Sequence, residues 1–281
     1  MSSSSRKAGR TTDVNRGHEE LRKESIPWVK QAARIAVDCL GRVGVTRKHD
    51  LSPVTDADHA VQDSLLEAIA RRHPVDAVIT EETQAHPGAH PAVSQATRCW
   101  IIDPIDGTRN YARAISIFTV SVAVMEGGRP VIGLVYDPFS DRMYSASLGG
   151  GAWVNSDRVE PVEVPPGDEP YVGIPTSRHE ELPAVVHRWI DTMIVRNFGS
   201  TALHLALLGT GSLDAVYCKK SKLWDIAAGA VIAGETGAQL LSLDGREYFP
   251  MDLSVYAGEP LPMLAARPGL LRRLLAEYRA G

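Results

Sequence analysis

Apolar residues along this chain recur at two different spacings, and each spacing predicts a different kind of element. Between residues 25 and 70, two segments carry apolar residues at helical intervals, which predicts two amphipathic helices. From Phe118 to Val154, short β-rich runs alternate with Gly-containing turns, which predicts consecutive hairpins and a largely antiparallel sheet. After residue 170, strand and helix patterns alternate, which predicts an α/β region.

Two polar stretches divide this pattern into parts. Residues 1–24 begin with a Ser-rich, basic segment, and they predict a flexible polar tail. A run rich in proline at 165–170 interrupts the strand pattern completely. We therefore expect an N-terminal α+β lobe over residues 25–165 and a C-terminal α/β lobe over residues 166–281.

Composition is that of an ordinary globular protein, with 44% hydrophobic and 23% charged residues among 281. A net charge of −4 and an aromatic content of 6% argue against a nucleic-acid partner. No apolar run approaches the ~20 residues of a membrane span, so no membrane partner is expected. The three scattered cysteines are expected to be reduced thiols, and without the apolar core of a secretory signal a cytoplasmic location is expected.

Candidate chemistry begins directly after the apolar run 99–102, which predicts a short buried strand. Asp103 and Asp106 follow it, three positions apart. Gly107 and Thr108 come next, and they suit a tight turn that opens a helix, where free N–H groups bind an anion. Carboxylates beside such a turn predict hard metal ions that meet a phosphate.

Three further acids stand at places where ligands gather, but each also has an ordinary structural interpretation. Asp56 can cap the helix that follows it. Glu81 follows a short strand, where an α/β protein collects its ligands, although paired glutamates are usually a charged surface. Asp225 precedes a helix rich in Ala and Gly and can be its cap. The residues alone leave these alternatives open.

The segment 103–111, Asp-Pro-Ile-Asp-Gly-Thr-Arg-Asn-Tyr, resembles the signature of the inositol monophosphatase family of magnesium-dependent phosphomonoesterases. Val-Thr-Asp ending at Asp56, Glu-Glu starting at Glu81 and Trp-Asp ending at Asp225 resemble further family motifs, although Thr80 replaces a family glycine. The resemblance runs from about residue 25 to the C-terminus. It implies an α+β layered sandwich of the αβαβα, sugar-phosphatase type, and a homodimer.

The resemblance also implies a ligand set. Asp103 is expected to bridge two metal ions, with Glu81 and the carbonyl of Ile105 on one ion. Asp106 and Asp225 are expected on the other. Oxygen donors without a thiolate favour Mg²⁺, or Mn²⁺, over zinc. Two such ions can hold the attacking and the leaving oxygen of an in-line displacement.

Catalytic roles follow from the same resemblance. Thr108, Asp56 and Glu81 are expected to position and activate the attacking water, and the N–H groups of Gly107 and Thr108 to bind the phosphate. Phosphatases with an aspartyl-phosphate intermediate carry Asp-x-Asp-Gly-Thr. Here Pro104 occupies the first Asp position, so direct attack by water is preferred.

Substrate contacts are expected from Asp225 and from Gly199, Ser200 and Thr201, which resemble the family's substrate-side turn. Inositol-specific members often carry Glu and His where this chain has Cys218 and Lys222. The basic run 218–222 has two open interpretations. It is a solvated loop, or Lys220 or Lys222 binds a second anionic group of the substrate.

Together these features predict a Mg²⁺-dependent phosphomonoesterase that acts on a small phosphorylated metabolite. The preferred substrate is a sugar or polyol phosphate such as myo-inositol 1-phosphate. Histidinol phosphate and 3′-phosphoadenosine 5′-phosphate are the alternatives within this class of reaction. A catalytically silent binding protein on the same fold is the alternative from another class.

Overall fold

The computed structural model describes residues 3–42, 45–47, 53–82, 92–93, 96–160, 169–175 and 182–281. Its α-helices are α1 (Ser3–Cys39), α2 (Asp56–Arg72), α3 (Thr108–Tyr111), α4 (Ala184–Thr192), α5 (Thr201–Gly209), α6 (Leu223–Gly234) and α7 (Pro268–Ala280). Its strands are β1 (Val45–Arg47), β2 (Pro53–Thr55), β3 (Ala77–Thr80), β4 (Arg98–Asp106), β5 (Thr119–Glu126), β6 (Arg129–Asp137), β7 (Arg142–Ser147), β8 (Gly151–Val154), β9 (Asp157–Val159), β10 (Tyr171–Gly173), β11 (Ile194–Arg196), β12 (Ala215–Cys218), β13 (Gln239–Ser242) and β14 (Met263–Ala266).

Seven strands form the larger sheet, in the order β3-β4-β5-β6-β7-β8-β9. β3 runs parallel to β4, and the other neighbouring strands are antiparallel. Gly127 and Gly128, with φ of 55° and 75°, connect β5 to β6, because a two-residue hairpin of this type requires positive φ at both positions. The predicted hairpins between residues 118 and 154 are therefore confirmed.

The smaller sheet has five strands in the order β11-β10-β12-β14-β13. β10 is parallel to β11 and β12, whereas β14 is antiparallel to β12 and β13. The predicted alternation of strands and helices is confirmed for this part of the chain, but β13 has no counterpart in the predicted pattern. The lobe boundary that the sequence predicts at residue 165 lies outside the described residues.

The sheets and helices stack in five layers. α1 and α2 cover the outer face of the larger sheet, where Trp28 and Leu65 are buried. α5 and α6 lie between the two sheets, and Leu205 of α5 is buried in the core that they form with both sheets. α4 and α7 cover the outer face of the smaller sheet around Trp189 and Leu274. The predicted αβαβα sandwich is confirmed, and no helix in the described ranges is long and apolar enough to cross a membrane.

Helix α1 begins at Ser3, so the prediction of a flexible polar tail over residues 1–24 is wrong for most of that segment. Arg22 donates a hydrogen bond from Nη1 to Ser145 Oγ at 2.6 Å, and His18 Nε2 lies 3.1 Å from Glu126 Oε2. Both side chains on the helix are buried. Their partners lie more than 100 residues away in the chain, so the spacing of apolar residues near α1 could not predict these hydrogen bonds.

Candidate metal centre

Asp103 and Asp106 lie at the end of β4, and a bulge brings their side chains to one face of the sheet. In a regular strand, residues three positions apart point to opposite faces. Here Asp103 pairs with Ser121 and Asp106 with Thr119, so three steps on β4 match two steps on β5. Ser121 donates a hydrogen bond to the Trp224 carbonyl at 3.2 Å, so this shared face is the one that α6 covers.

The N-terminus of α5 holds Asp106. The hydroxyl of Ser200 and the backbone N–H of Ala202 each donate to Asp106 Oδ2 at 2.6 Å. Ser200 is also the N-cap of α5, because its Oγ accepts from the N–H of Leu203 at 3.0 Å. Ser200 is fully buried, so the prediction that it contacts the substrate is not supported. Its hydroxyl orients a carboxylate instead.

Asp225 lies in the first turn of α6, where it caps the helix and reaches the other acids. Its Oδ2 accepts from the backbone N–H of Lys222 at 2.7 Å, in the manner of an N3 acid in a capping box. Ligand atoms of Asp225, Asp103 and Asp106 all lie within 4.8 Å of one another. The two interpretations of Asp225 that the sequence leaves open are therefore compatible.

Glu81 joins this group from the neighbouring strand. Its backbone N–H donates to the Ile102 carbonyl at 3.1 Å, which places it beside the end of β4. Its side chain is half-buried and hydrogen-bonded to that of Asp103. The structure thus brings together the four acidic side chains that the sequence predicts as ligands.

Crowding of the acids shifts their protonation. Burial, followed by the charges of Glu81, Asp106 and Asp225, raises the pKa of Asp103 well above its usual range. Burial also raises the pKa of Asp106 to about 7, although the hydrogen bond from Ser200 opposes the change. Burial and the charge of Asp106 raise the pKa of Asp225 in the same way. Burial and neighbouring like charges both disfavour the charged form of a carboxylate.

These acids fit a hard divalent cation. In the part of the chain that the structure describes, the cluster within 4.8 Å consists of the carboxylates of Asp103, Asp106 and Asp225, without thiolate or imidazole. Oxygen donors of this kind bind Mg²⁺, Ca²⁺ or Mn²⁺ in preference to zinc. A bound cation would also remove the mutual repulsion that raises the pKa values. The residues present therefore suit a metal site.

The turn after β4 connects this cluster to a candidate anion site. Gly107 has a φ of 107°, and a Cβ there would lie 3.2 Å from the Ile117 carbonyl oxygen, so glycine is required. Thr108 begins α3, whose first N–H groups have no acceptor inside the helix. Thr108 Oγ1 donates to the Ile105 carbonyl at 3.0 Å, and the Ile105 N–H donates to Asp103 Oδ1 at 3.1 Å. The predicted residues of this turn are therefore linked to the acids.

Asp56 is exposed, and its neighbour Asp58 is buried. The side chain of Asp56 is exposed on α2, so its predicted role beside the attacking water is not supported. Asp58 is fully buried and accepts hydrogen bonds from the N–H and the hydroxyl of Thr55, at 2.8 and 2.6 Å. Burial, the Cys39 thiol and the charge of Asp58 raise the pKa of Tyr111, which places Asp58 close to α3.

A pocket of about 300 Å³ lies beside the cluster and is bordered by Asp225, Gly199 and Thr201. Asn110 Nδ2 donates to the Phe198 carbonyl at 2.7 Å, which ties α3 to the turn before α5. Gly199 has a φ of 78°, and a Cβ there would lie 2.6 Å from Asn110 Nδ2, so this approach also needs glycine. Gly199 and Thr201 are therefore placed where the sequence predicts substrate contacts.

Comparison with known proteins decides the family. The profile of the inositol monophosphatase family matches residues 13–278. The chain belongs to this family. It is accordingly a metal-dependent phosphomonoesterase.

Relatives within the inositol monophosphatase family carry more than one name. "Nus factor SuhB" of Pasteurella multocida is 30% identical over 259 residues, which cover 87% of this chain and 92% of that protein. "Inositol-1-monophosphatase" of Bacillus subtilis is 30% identical over 246 residues, which cover 83% and 89%. The solved structure of the Thermotoga maritima IMPase matches with a TM-score of 0.79 at 25% identity, over 92% of this chain and 96% of that one.

Lys222 belongs to the basic run that the sequence leaves open between a solvated loop and a substrate contact. Its Nζ donates to the Gly258 carbonyl and lies 5.9 Å from the centre of the Trp224 ring. The prediction that Lys222 contacts the substrate is therefore not supported. Lys219 and Lys220, from the same basic run, line the pocket beside Asp225.

Two residues that support this inositol monophosphatase site have no recognisable signal in the sequence. Ala202 contributes only a backbone N–H to Asp106, and a backbone group leaves no signal in side-chain chemistry. His204 is fully buried, and its Nε2 accepts from the Phe198 N–H at 3.0 Å, which supports the turn before Ser200. Burial lowers the pKa of His204 to about 4, so the ring is neutral and can accept this bond.

Proposed function

We propose that this protein hydrolyses the phosphomonoester of a small sugar or polyol, the class to which myo-inositol 1-phosphate belongs, with Mg²⁺ as its metal ion. One observation carries the proposal. Three aspartates from β4 and α6 have ligand atoms within 4.8 Å of one another, next to the tight turn at Gly107. Bare carboxylates repel a phosphate, so a cation must be bound before the substrate can approach.

Four side chains and one backbone carbonyl would hold the metal ions. These ligands are Glu81, Asp103, Asp106 and Asp225, with the carbonyl oxygen of Ile105. Mg²⁺ held by such oxygens would supply a Lewis acid that lowers the pKa of water and offsets negative charge on the phosphate and the leaving oxygen. The hydroxyl of Ser200 and the backbone N–H of Ala202, at the N-terminus of α5, contribute to this site indirectly, because both hydrogen bonds keep Asp106 in place.

Thr108 is the residue that we assign to the attacking water. Its hydroxyl proton is donated to the Ile105 carbonyl at 3.0 Å, so its oxygen keeps lone pairs that can accept a hydrogen bond from water. We assign the supporting place that the sequence suggests for Asp56 to Asp58, because Asp58 is buried and hydrogen-bonded to Thr55 of β2, the strand that contacts the helix begun by Thr108.

Phosphate and alcohol would occupy adjoining sites. The backbone N–H groups of Gly107 and Thr108 would donate to phosphate oxygens, with the N-terminal dipole of the turn favouring negative charge. The alcohol would enter the pocket bordered by Gly199, Thr201 and Asp225. Its volume of about 300 Å³ is at the lower end for ligand pockets, which suits a small metabolite.

Phosphate release from a substrate panel tests the proposal. The panel contains myo-inositol 1-phosphate, histidinol phosphate, 3′-phosphoadenosine 5′-phosphate and fructose 1,6-bisphosphate, each with Mg²⁺ and with EDTA. Asp225→Asn, prepared in parallel, reports any contaminating phosphatase. We expect release that needs Mg²⁺ and disappears in the variant. Equal release by the variant, or none from any substrate, would contradict the proposal and leave the silent binding protein.

Mass measurement in solution tests the homodimer that the family resemblance implies. The homodimer, the cytoplasmic location and the absence of a nucleic-acid partner remain predictions. A monomer at micromolar concentration would contradict the first of them.

A further inference from the structure

The pocket beside Asp225 has a wall of positive charge. Three cationic residues line it, Arg109, Lys219 and Lys220, whereas the acid that borders it, Asp225, belongs to the metal centre. The chain as a whole carries a net charge of −4, so three cations around one small pocket are not a general property of its surface. The pocket therefore has a local excess of positive charge.

Two distant parts of the chain bring these cations together. Arg109 lies in α3, one residue after Thr108, and is therefore part of the turn that faces the metal centre. Lys219 and Lys220 follow the last residue of β12, which ends at Cys218 beside Thr201. The fold therefore places them against the same space in which the alcohol part of a substrate would lie.

The chemistry of the wall distinguishes between leaving groups. An uncharged polyol offers these ammonium and guanidinium groups no opposite charge and so gains little from them. A cationic group would be repelled by them. A phosphate or carboxylate would form charge-assisted hydrogen bonds with them, and a fork-shaped guanidinium can bind either one through two parallel bonds. The pocket therefore favours an anion in addition to the phosphoryl group that is hydrolysed.

We propose that the substrate carries a second anionic group, a phosphate or a carboxylate, which binds to Arg109, Lys219 and Lys220. This inference rests on the proposed function and narrows it, because it ranks a sugar or polyol with a second acid group above myo-inositol 1-phosphate. It also ranks histidinol phosphate, whose leaving group is a cation, below both.

Matched pairs of substrates test the inference. Fructose 1,6-bisphosphate is compared with fructose 1-phosphate for a second phosphate, and 2-phosphoglycerate with glycerol 2-phosphate for a carboxylate. We expect kcat/KM to be about tenfold higher for the member with the second anion in at least one pair, which is the effect of a single good charged hydrogen bond. The two pairs tell phosphate from carboxylate.

Charge-removing variants locate the effect. The double variant Lys219→Gln, Lys220→Gln should lose the preference for the second anion, so that kcat/KM becomes equal for the two members of each pair. Lys23→Gln is the matched control, because its exposed ammonium, 3.2 Å from Glu19, lies on α1 outside this pocket. Equal kcat/KM within both pairs, or a preference that the double variant retains, would overturn the inference and leave the phosphatase function intact.

A binding measurement keeps the two proposals separate. In EDTA the acidic cluster repels anions, so binding of fructose 6-phosphate under these conditions reports the basic wall alone. We expect fructose 6-phosphate, but not fructose, to raise the melting temperature of the wild-type protein, and the double variant to show no rise. If no phosphomonoester is hydrolysed at all, this measurement still decides whether the anion site exists.

Discussion

Ser200 Oγ lies 2.6 Å from Asp106 Oδ2, and the same oxygen accepts from the Leu203 N–H at 3.0 Å. One hydroxyl therefore caps α5 and orients a carboxylate at the end of β4. The contact joins residues 94 positions apart, so the metal centre depends on how the helix between the sheets is docked. In metal sites generally, a residue that is hydrogen-bonded to a metal ligand, here called an outer partner, tunes the metal affinity of that ligand.

Ser200→Ala is expected to weaken metal binding. Loss of an outer partner raises the Mg²⁺ concentration for half-maximal activity by about 10- to 100-fold. Loss of the cap lowers the free energy of unfolding by about 1 kcal/mol. Mg²⁺ titrations of activity and urea unfolding measure the two effects, and Ser200→Thr, which keeps the hydroxyl, should restore most of both. An unchanged Mg²⁺ requirement in Ser200→Ala would show that the hydroxyl does not act on the metal centre.

Asp225→Asn is expected to remove activity without unfolding the protein. Removing a metal ligand should reduce activity more than removing a hydrogen-bond partner of a ligand. We therefore expect kcat to fall at least about a hundredfold. The amide oxygen can still accept from the Lys222 N–H, so the helix cap is kept. In EDTA the melting temperature should equal or exceed that of the wild type, because one of the repelling carboxylates is gone. Near-normal turnover would disprove the ligand assignment.

Thr108→Ala is expected to reduce kcat more than it raises KM. Under the assignment that we propose, the hydroxyl positions the attacking water and does not set substrate affinity, so kcat should fall by about a hundredfold. Thr108→Ser keeps an oxygen that can donate to the Ile105 carbonyl and should recover most of the rate. Steady-state kinetics on one substrate at saturating Mg²⁺ separates the two parameters. A change confined to KM would assign Thr108 to substrate binding instead.

Asp58→Asn and Asp56→Asn form a matched pair. Asp58 is buried and accepts two hydrogen bonds from Thr55, whereas Asp56 is exposed. The amide at position 58 has lower acceptor strength and no charge, so Asp58→Asn should lower the free energy of unfolding by about 1 kcal/mol and reduce kcat. Asp56→Asn should leave both near the wild-type values. The opposite ranking of the two variants would restore the role that the sequence suggests for Asp56.

Glu19 makes a pH-dependent contribution to stability through α1. Burial alone would raise its pKa, but hydrogen bonds and the charge of Arg22, with smaller contributions from Lys23 and Ser147, lower the pKa of Glu19 from 4.5 to about 2. Because the folded-state pKa is the lower one, the contribution is complete above pH 4.5 and is lost as the pH falls toward 2.

Glu19→Gln should therefore destabilise the protein by about 1 kcal/mol at pH 7, after allowance for solvent screening. The difference from the wild type should become smaller at pH 3. Urea unfolding at the two pH values measures it, with Glu20→Gln as the control because the side chain of Glu20 is exposed. A difference that stays constant between pH 7 and pH 3 would mean that the Glu19 charge is not its source.

Local sequence was sufficient for the parts of this protein that repeat a pattern or keep a motif together. Alternating apolar residues and paired glycines predicted the hairpins of the larger sheet, because side-chain period and positive φ are local properties. The residues around Gly107 predicted a tight turn for the same reason. Motif resemblance supplied Glu81 and Asp225, which the residues alone left ambiguous between helix cap, surface charge and ligand.

Only the folded chain decided the direction in which side chains point. A one-residue bulge turns Asp103 and Asp106 to the same face, and the pairing with β5 that creates this bulge is not encoded in the three-residue spacing. The folded chain also decided which of two neighbouring residues of the same type faces the site. Asp58 is buried and Asp56 exposed, and Lys220 lines the pocket while Lys222 binds the Gly258 carbonyl.

By itself, then, the sequence determined which chemical groups this protein possesses and in which elements they lie. The tertiary structure decided which of them meet, since burial, bulges and helix docking are set by contacts between residues far apart in the chain. The approach of Ser200 to Asp106 and of Arg22 to Ser145 are both of this kind. Such contacts depend on the free energy of the whole fold, and no local pattern records them.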